Sequence, residues 1–472
     1  MLYNLTGIAK PQSSSTKQGS TPRMSTPTPL APVRKREIFG WAMYDFANSS
    51  YTTVVVSFIY SAFFISYIVP PELDHLKNTF WAASVAISTG IAIILAPLVG
   101  VICDYSGRKK RYLAWCTWVS VLATGGLYFV EPGSVWLGMA FLICSNTAWM
   151  LSESFIASFL TELASKDNMG RISGIGWGIG YIGGLLSLLI IIVVVTESAD
   201  SNLGAYIDQN QLAMVVVALF YGLGALPTFL FVKERAVPQP EFEHARMSVL
   251  IKAAGARLLA MRSIIADYPV LFRFFIAFMV YMAGVSVVVK FFGIYAQEEI
   301  GIRGTELLII GATLQIASMI GAIGFGFIED SLGSKNTLVL TLGWWLTGLL
   351  GIYYLDALVA MTGLTQSTLF VAIAFIAGSA MGATQSASRA VVGLLASPRD
   401  SALLFGLWGT FGRFAIIIGM TFGPISDAVG RQQALLIIML YFIAGGILLM
   451  RIPLREAIQD QRSLPAETAP TS

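Results

Sequence analysis

Of 472 residues, 12% are charged and 56% hydrophobic, and the mean hydropathy is +0.72; a soluble chain would carry about 25% charged residues. That is membrane composition, and it excludes an ordinary water-soluble domain. A net charge of +3 is too small to argue for nucleic acid, so the placement of the cations matters more than their sum.

The first 35 or so residues are rich in Ser, Thr and Pro and lack the apolar core of a signal peptide, so a disordered tail is expected over 1–37. Met24 precedes a similar run and is a second candidate start. Apolar runs long enough to span a bilayer, about 20 residues each, follow at 38–69, 80–102, 112–131, 135–161, 171–196 and 212–232. After a linker at 233–269, six more lie at 270–297, 305–329, 336–356, 366–396, 401–427 and 431–452, and 453–472 forms a second tail. The expected class is an all-α membrane protein whose twelve transmembrane helices form two six-helix pseudo-repeats, 38–232 and 270–452.

The linker carries Lys233, Arg235, Arg246, Lys252, Arg257 and Arg262. Its part from Ser248 to Ile265 alternates basic with apolar positions at helical spacing, the pattern of an amphipathic helix lying on the membrane. Arg34, Lys35, Arg36, the run Arg108 to Arg111, Lys166, Arg171, the linker cations, Lys335, Arg399, Arg451 and Arg455 all fall on one side, and only Lys77, Arg303 and Arg431 on the other. The positive-inside rule then places both termini and the linker in the cytoplasm, with a bacterial inner membrane as the expected location. The longest outer loop, Glu197 to Gln211, is acidic and polar, in agreement. Cys103, Cys116 and Cys144 lack metal-ligand or disulfide spacing and read as packing residues.

The halves share a motif. Gly100, Asp104, Gly107 and Lys109 return at one constant offset as Gly326, Asp330, Gly333 and Lys335, a sign of duplicated architecture. In the second copy Ser334 replaces Arg108, so that copy is the weaker one.

Five ionisable residues lie within predicted spans: Asp45 in the first, Glu153 in the fourth, Lys290 in the seventh, Arg389 in the tenth and Arg413 in the eleventh. A charge at the bilayer centre costs about 2.5–3.5 kcal/mol even on lenient scales, so such residues face a cavity or a partner. The first half supplies only acids and the second only bases. At 1.5 Å per residue, Asp45, Glu153 and Arg389 share a level near the cytoplasmic ends, which suggests a gate in which Asp45 or Glu153 pairs with Arg389. Lys290 lies nearer the outer face and Arg413 near the middle, and both are assigned to the cavity. The plain alternative is static pairing that only locks helices together. For proton coupling, His75 and His244 are badly placed, Glu153 is the better carboxylate and Asp45 the second; equally, both acids stay ionised as partners of Arg389.

Tyr44, Asn48 and Tyr51 cluster around Asp45 and offer an ammonium site, whereas Trp41 reads as an interfacial anchor. Gln385 shares a face with Arg389. Lys290, Arg389 and Arg413 are placed to neutralise a carboxylate, so a zwitterion such as an amino acid is a suitable cargo. The run Gly178 to Gly183 matches a dinucleotide fingerprint letter for letter, but it lies inside a helix rather than after a strand. Gly176, Gly180 and Gly184 read instead as a helix-packing face.

Twelve helices in two sixes, a basic central loop and a G-x-x-x-D-x-x-G-R-K-like turn after the second helix resemble the major facilitator superfamily. Trp41 to Ser50, Gly170 to Gly184 and Gln385 to Arg389 are similar to the branch that includes the vacuolar amino-acid effluxers of fungi and bacterial relatives. Leu151-Ser-Glu-Ser154 departs from that branch, which would have an aromatic and an amide there. The resemblance implies a major facilitator fold with helices 1, 4, 7 and 10 around a central site, alternating access by rocking, and a motif loop in which Asp104 and Arg108 latch the inner side. The expected function is secondary active transport of a small polar organic solute, amino acids first, possible proton coupling included. The competing readings are a drug or metabolite exporter of this fold and a receptor without transport. No nucleotide-binding loop, metal-ligand cluster or nucleophile with a base is visible in the spans, so no enzyme and no cofactor is expected. The partners expected are the substrate, the bilayer and a coupled proton, and the protein itself is expected as a monomer.

Overall fold

The computed structural model describes residues 32–197, 201–243, 245–298, 300–301, 305–422, 425–426 and 430–463. Met24, His244 and Arg303 lie outside them, as do the side chains of Lys290 and Arg431. A chain in lipid must satisfy its backbone polar groups internally, and the long apolar runs do so as helices: α1 (Lys35–Ile68), α2 (Lys77–Ser106), α3 (Lys109–Gly126), α4 (Val135–Ser158), α5 (Met169–Val194), α6 (Leu203–Phe231), α7 (Pro269–Glu298), α8 (Thr305–Leu332), α9 (Ser334–Tyr353), α10 (Gln366–Leu395), α11 (Ser401–Gly419) and α12 (Arg431–Met450). Eleven of these are long and apolar enough to cross a membrane. The twelfth, α3, opens on three cations but packs along α4 and α6, and its exposed Trp115, Trp118 and Leu122 continue the lipid-facing surface.

Four expectations change. The outer loop from Glu197 to Gln211 is largely helix, because Asn202 caps α6 by accepting from Ala205 N at 3.1 Å. The linker helix is broken at Ala260 into Met247–Leu259 and Met261–Asp267. Its Leu250, Ala254 and Ile264 are buried in the protein core, while Met247, Val249, Ile251 and Leu259 stay exposed. Leu454–Ser463 is helical, with Leu454 buried, and α1 already begins at Lys35.

Two buried clusters, one per half, form the core. Val101, Ile102 and Ala157 of the first half enter the second cluster, and Ala390, Leu394 and Ala402 of the second half enter the first. All six belong to the same end of the bundle, where the motif loops lie, called here the basic end. Pairings between the halves run along α2 with α11 and α5 with α8.

Candidate gate and substrate site

Arg389 is 3% exposed and reaches from α10 into the first half. Its Nη1 donates to Asp45 Oδ2 at 2.8 Å, its Nε to Ser173 Oγ at 3.1 Å and its Nη2 to Ser173 O at 2.8 Å. The guanidinium lies over Trp41, 4.7 Å from the ring centroid, with Trp177 at 5.3 Å. Trp41 is fixed in turn by donating Nε1 to Ile156 O at 2.8 Å. A buried charge needs both a counter-charge and hydrogen bonds, and α1 and α5 supply them. Gly176 makes the room: a Cβ there would stand 2.6 Å from Arg389 Nη2 and 2.8 Å from Asp45 Oδ2. Trp41 therefore belongs to this cluster and is not an interfacial anchor; it is fully buried.

Glu153 takes no part in that pair. Asn48, one turn beyond Asp45 on α1, donates Nδ2 to Glu153 Oε1, and among the described residues Glu153 forms no ion pair. Arg413 crosses from α11 and donates Nη2 to Met150 O at 2.8 Å, one turn from Glu153 on α4. Its Nη1 is buried with no hydrogen-bond partner. An acid and a base from opposite halves thus stand near one another, each without an ion-pair partner among the described residues.

Tyr44 and Tyr51 are fully buried inside the first half. Tyr44 OH bonds Thr117 Oγ1 at 2.6 Å and Tyr221 OH at 3.1 Å, and Tyr51 bonds Ser145 Oγ at 2.8 Å and stacks on Trp149. Gln385 Oε1 accepts from Tyr181 OH, a contact between the halves. Lys290 lies on α7, its side chain outside the described residues.

At the basic end, Asp104 spans the halves: its Oδ1 accepts from Ala402 N at 3.0 Å and its Oδ2 from Leu403 N at 2.8 Å. Those are free N–H groups of the first turn of α11, where the helix dipole also favours an anion. Gly100 lets the helices meet, since a Cβ there would stand 2.6 Å from Ala402 O. Gly107, at φ +61°, closes α2. The second copy repeats the design: Asp330 accepts from Arg171 N at 3.2 Å near the start of α5, Gly326 abuts Gly170 O, and Gly333 has φ +79°. Lys335 departs from it and donates to Met450 O at 2.8 Å and Ile452 O at 2.7 Å within its own half.

Arg108, expected beside Asp104, is exposed and makes no ion pair among the described residues. Its neighbour Lys109, fully buried, bridges instead, donating to Glu162 Oε1 at 2.7 Å and Ser401 Oγ at 2.6 Å. Outside the spans, Glu234 accepts from Lys110 N at 2.8 Å, and burial lifts its carboxyl above the ordinary range against the pull of that bond. Glu162 Oε2 also accepts from Arg235 N, so the start of the linker is tied to the latch.

Comparison with known proteins agrees with this architecture. A family profile described as "Vacuole effluxer Atg22 like" matches residues 66–462. An uncharacterized MFS-type transporter of Bacillus subtilis, YxiO, is 25% identical over 433 residues, covering 90% of this chain and 97% of that protein. Autophagy-related protein 22-1 of Neosartorya fischeri is 22% identical over 317 residues, 64% of this chain, and that match spans only 51% of the fungal protein. Among solved structures, the proton:xylose symporter XylE superposes with a TM-score of 0.67 at 12% identity, covering 89% of this chain and 95% of that one. The human organic anion transporter MFSD10 does so at 0.68 and 12%, covering 88% and 99%; such likeness concerns the fold alone. The chain belongs to the Atg22-like vacuole effluxer family of major facilitator transporters.

Proposed function

We propose that the protein is a secondary active transporter of amino acids, working by alternating access, and that the zwitterion binds between Glu153 and Arg413. The observation that carries this is the pair of opposite charges, one from each half, neither neutralised by an ion pair among the described residues. Leaving such charges inside a membrane protein is expensive unless a ligand completes them. An amino acid supplies an ammonium for Glu153 and a carboxylate for Arg413, and so draws the two halves together on binding. Asn48 orients the acid. The Asp45–Arg389 pair, by this reading, is the gate below the site, and Asp104 with Lys109 the latch below the gate.

Glu153 is also the group we assign to proton coupling, since a carboxylate without a cation is free to take a proton once the ammonium leaves. The basic end is taken as cytoplasmic, which places both termini inside the cell and makes the closed end the inner one. Calorimetric titration of the purified protein tests the binding mode. A bound amino acid should lose affinity by about ten- to hundredfold when its amine is acetylated or its carboxyl esterified, the worth of one charged hydrogen-bonded contact. Blocked analogues binding as tightly as the parent would overturn the proposal.

A further inference from the structure

The latch leaves Arg108 and Arg111 unused, and both line a cavity of about 430 Å³ between the α2–α3 turn and the linker. Trp115, Met247, Leu250 and Glu243 complete the part of the lining that matters here. The two guanidiniums are exposed and form no ion pair among the described residues, so their charge is available to a ligand; Glu243 is one acid in the lining against two cations.

The cavity is held in shape. Tyr105 at the end of α2 stacks on Phe242 of the linker, centroids 4.4 Å apart and planes 3° from parallel. Gln239 N donates to Tyr105 O at 3.0 Å. Gly107 allows this approach, because a Cβ there would stand 2.5 Å from Pro238 N.

Its position relative to lipid follows from α3. Trp115 is 64% exposed, and Leu122, two turns further along, is 72% exposed, so this face of α3 looks into the bilayer and Trp115 marks the headgroup level, where tryptophan concentrates. Met247 is half exposed beside it. Two cations over an apolar floor, at the headgroup level and on the basic side, match an anionic phospholipid: phosphate against Arg108 and Arg111, glycerol and upper acyl chain against Trp115, Met247 and Leu250.

We infer that this cavity is a binding site for the headgroup of an anionic phospholipid. The lipid fastens the linker to the α2–α3 turn from which Asp104 and Lys109 project. The same chemistry would suit a free phosphate, and the experiment separates the two. Native mass spectrometry of the detergent-purified full chain is run with dioleoylphosphatidylglycerol, with dioleoylphosphatidylcholine, and with phosphatidylglycerol in the presence of excess inorganic phosphate. The wild-type protein should hold phosphatidylglycerol about thirtyfold more tightly than the double variant Arg108→Ala/Arg111→Ala. Arg108→Lys/Arg111→Lys should stay close to wild type, and phosphatidylcholine, bound alike by all three, reports that each is folded. Equal retention of phosphatidylglycerol by the alanine pair, its loss from the lysine pair, or its displacement by inorganic phosphate would overturn the inference.

Discussion

Arg389 shows how much a single buried charge requires: a carboxylate, a hydroxyl, a carbonyl and two indole faces. Removing one partner of such a pair costs about 3–5 kcal/mol, because the survivor stays buried and uncompensated. Asp45→Asn should therefore destabilise the closed basic end and lower transport strongly. The exchange Asp45→Arg/Arg389→Asp should recover part of it; equal inactivity of the single and double variants in an uptake assay would contradict the pairing. The sequence made an acid–Arg389 pair legible through membrane depth. It left Asp45 and Glu153 undecided because both lie at that depth, and only the rotation of α1, which turns Asn48 toward Glu153, separates them. Rotation also explains Tyr44 and Tyr51: aromatic residues near an acid look like a binding face, yet these two point into the first half, where Thr117, Tyr221 and Ser145 satisfy their hydroxyls.

Helices meet across the halves by one device used twice, an aspartate at the end of one helix set against the start of another. The two copies differ in strength. Asp104 is buried and accepts two backbone N–H bonds, whereas Asp330 is an exposed residue and its ion pair with Arg171 is long, at 3.8 Å. Asp104→Asn should cost about 1–2 kcal/mol of the closed arrangement, by loss of a charged cap at a helix N-terminus, and Asp330→Asn less. Spin labels at Ser165→Cys and Arg399→Cys, on opposite halves of the basic end in a background without Cys103, Cys116 and Cys144, should show a longer-distance population that grows about tenfold with Asp104→Asn. An unchanged distance distribution would remove Asp104 from the latch. Gly100→Val belongs to the same scale: its side chain would press on the Ala402 carbonyl, so the same labels should again report an opened basic end. The repeated glycine, aspartate and glycine were visible in the sequence as a constant offset. The roles of Lys109 and Arg108 were not, because a run of four cations does not say which of them the turn at Gly107 directs inward.

For the whole molecule, there are six helices per half and a basic end closed by contacts from both halves, which under the proposed function opens by rocking. The fold was legible because every span is an apolar run bounded by charges or glycines. The helix breaks and extensions at Ala260, Leu203 and Leu454 were not, since they depend on local caps and on what the linker packs against. Opening the basic end must break Asp45–Arg389, Lys109–Ser401 and both aspartate contacts between the halves, which is affordable only if something else draws the halves together. In this account the amino acid between Glu153 and Arg413 does so. The most direct test is uptake of a panel of labelled amino acids by proteoliposomes, with and without an imposed proton gradient. Gradient-driven accumulation of at least one amino acid is expected, reduced about ten- to hundredfold by Arg413→Gln and made independent of the gradient by Glu153→Gln. Transport of none of them, or uptake indifferent to both substitutions, would contradict it.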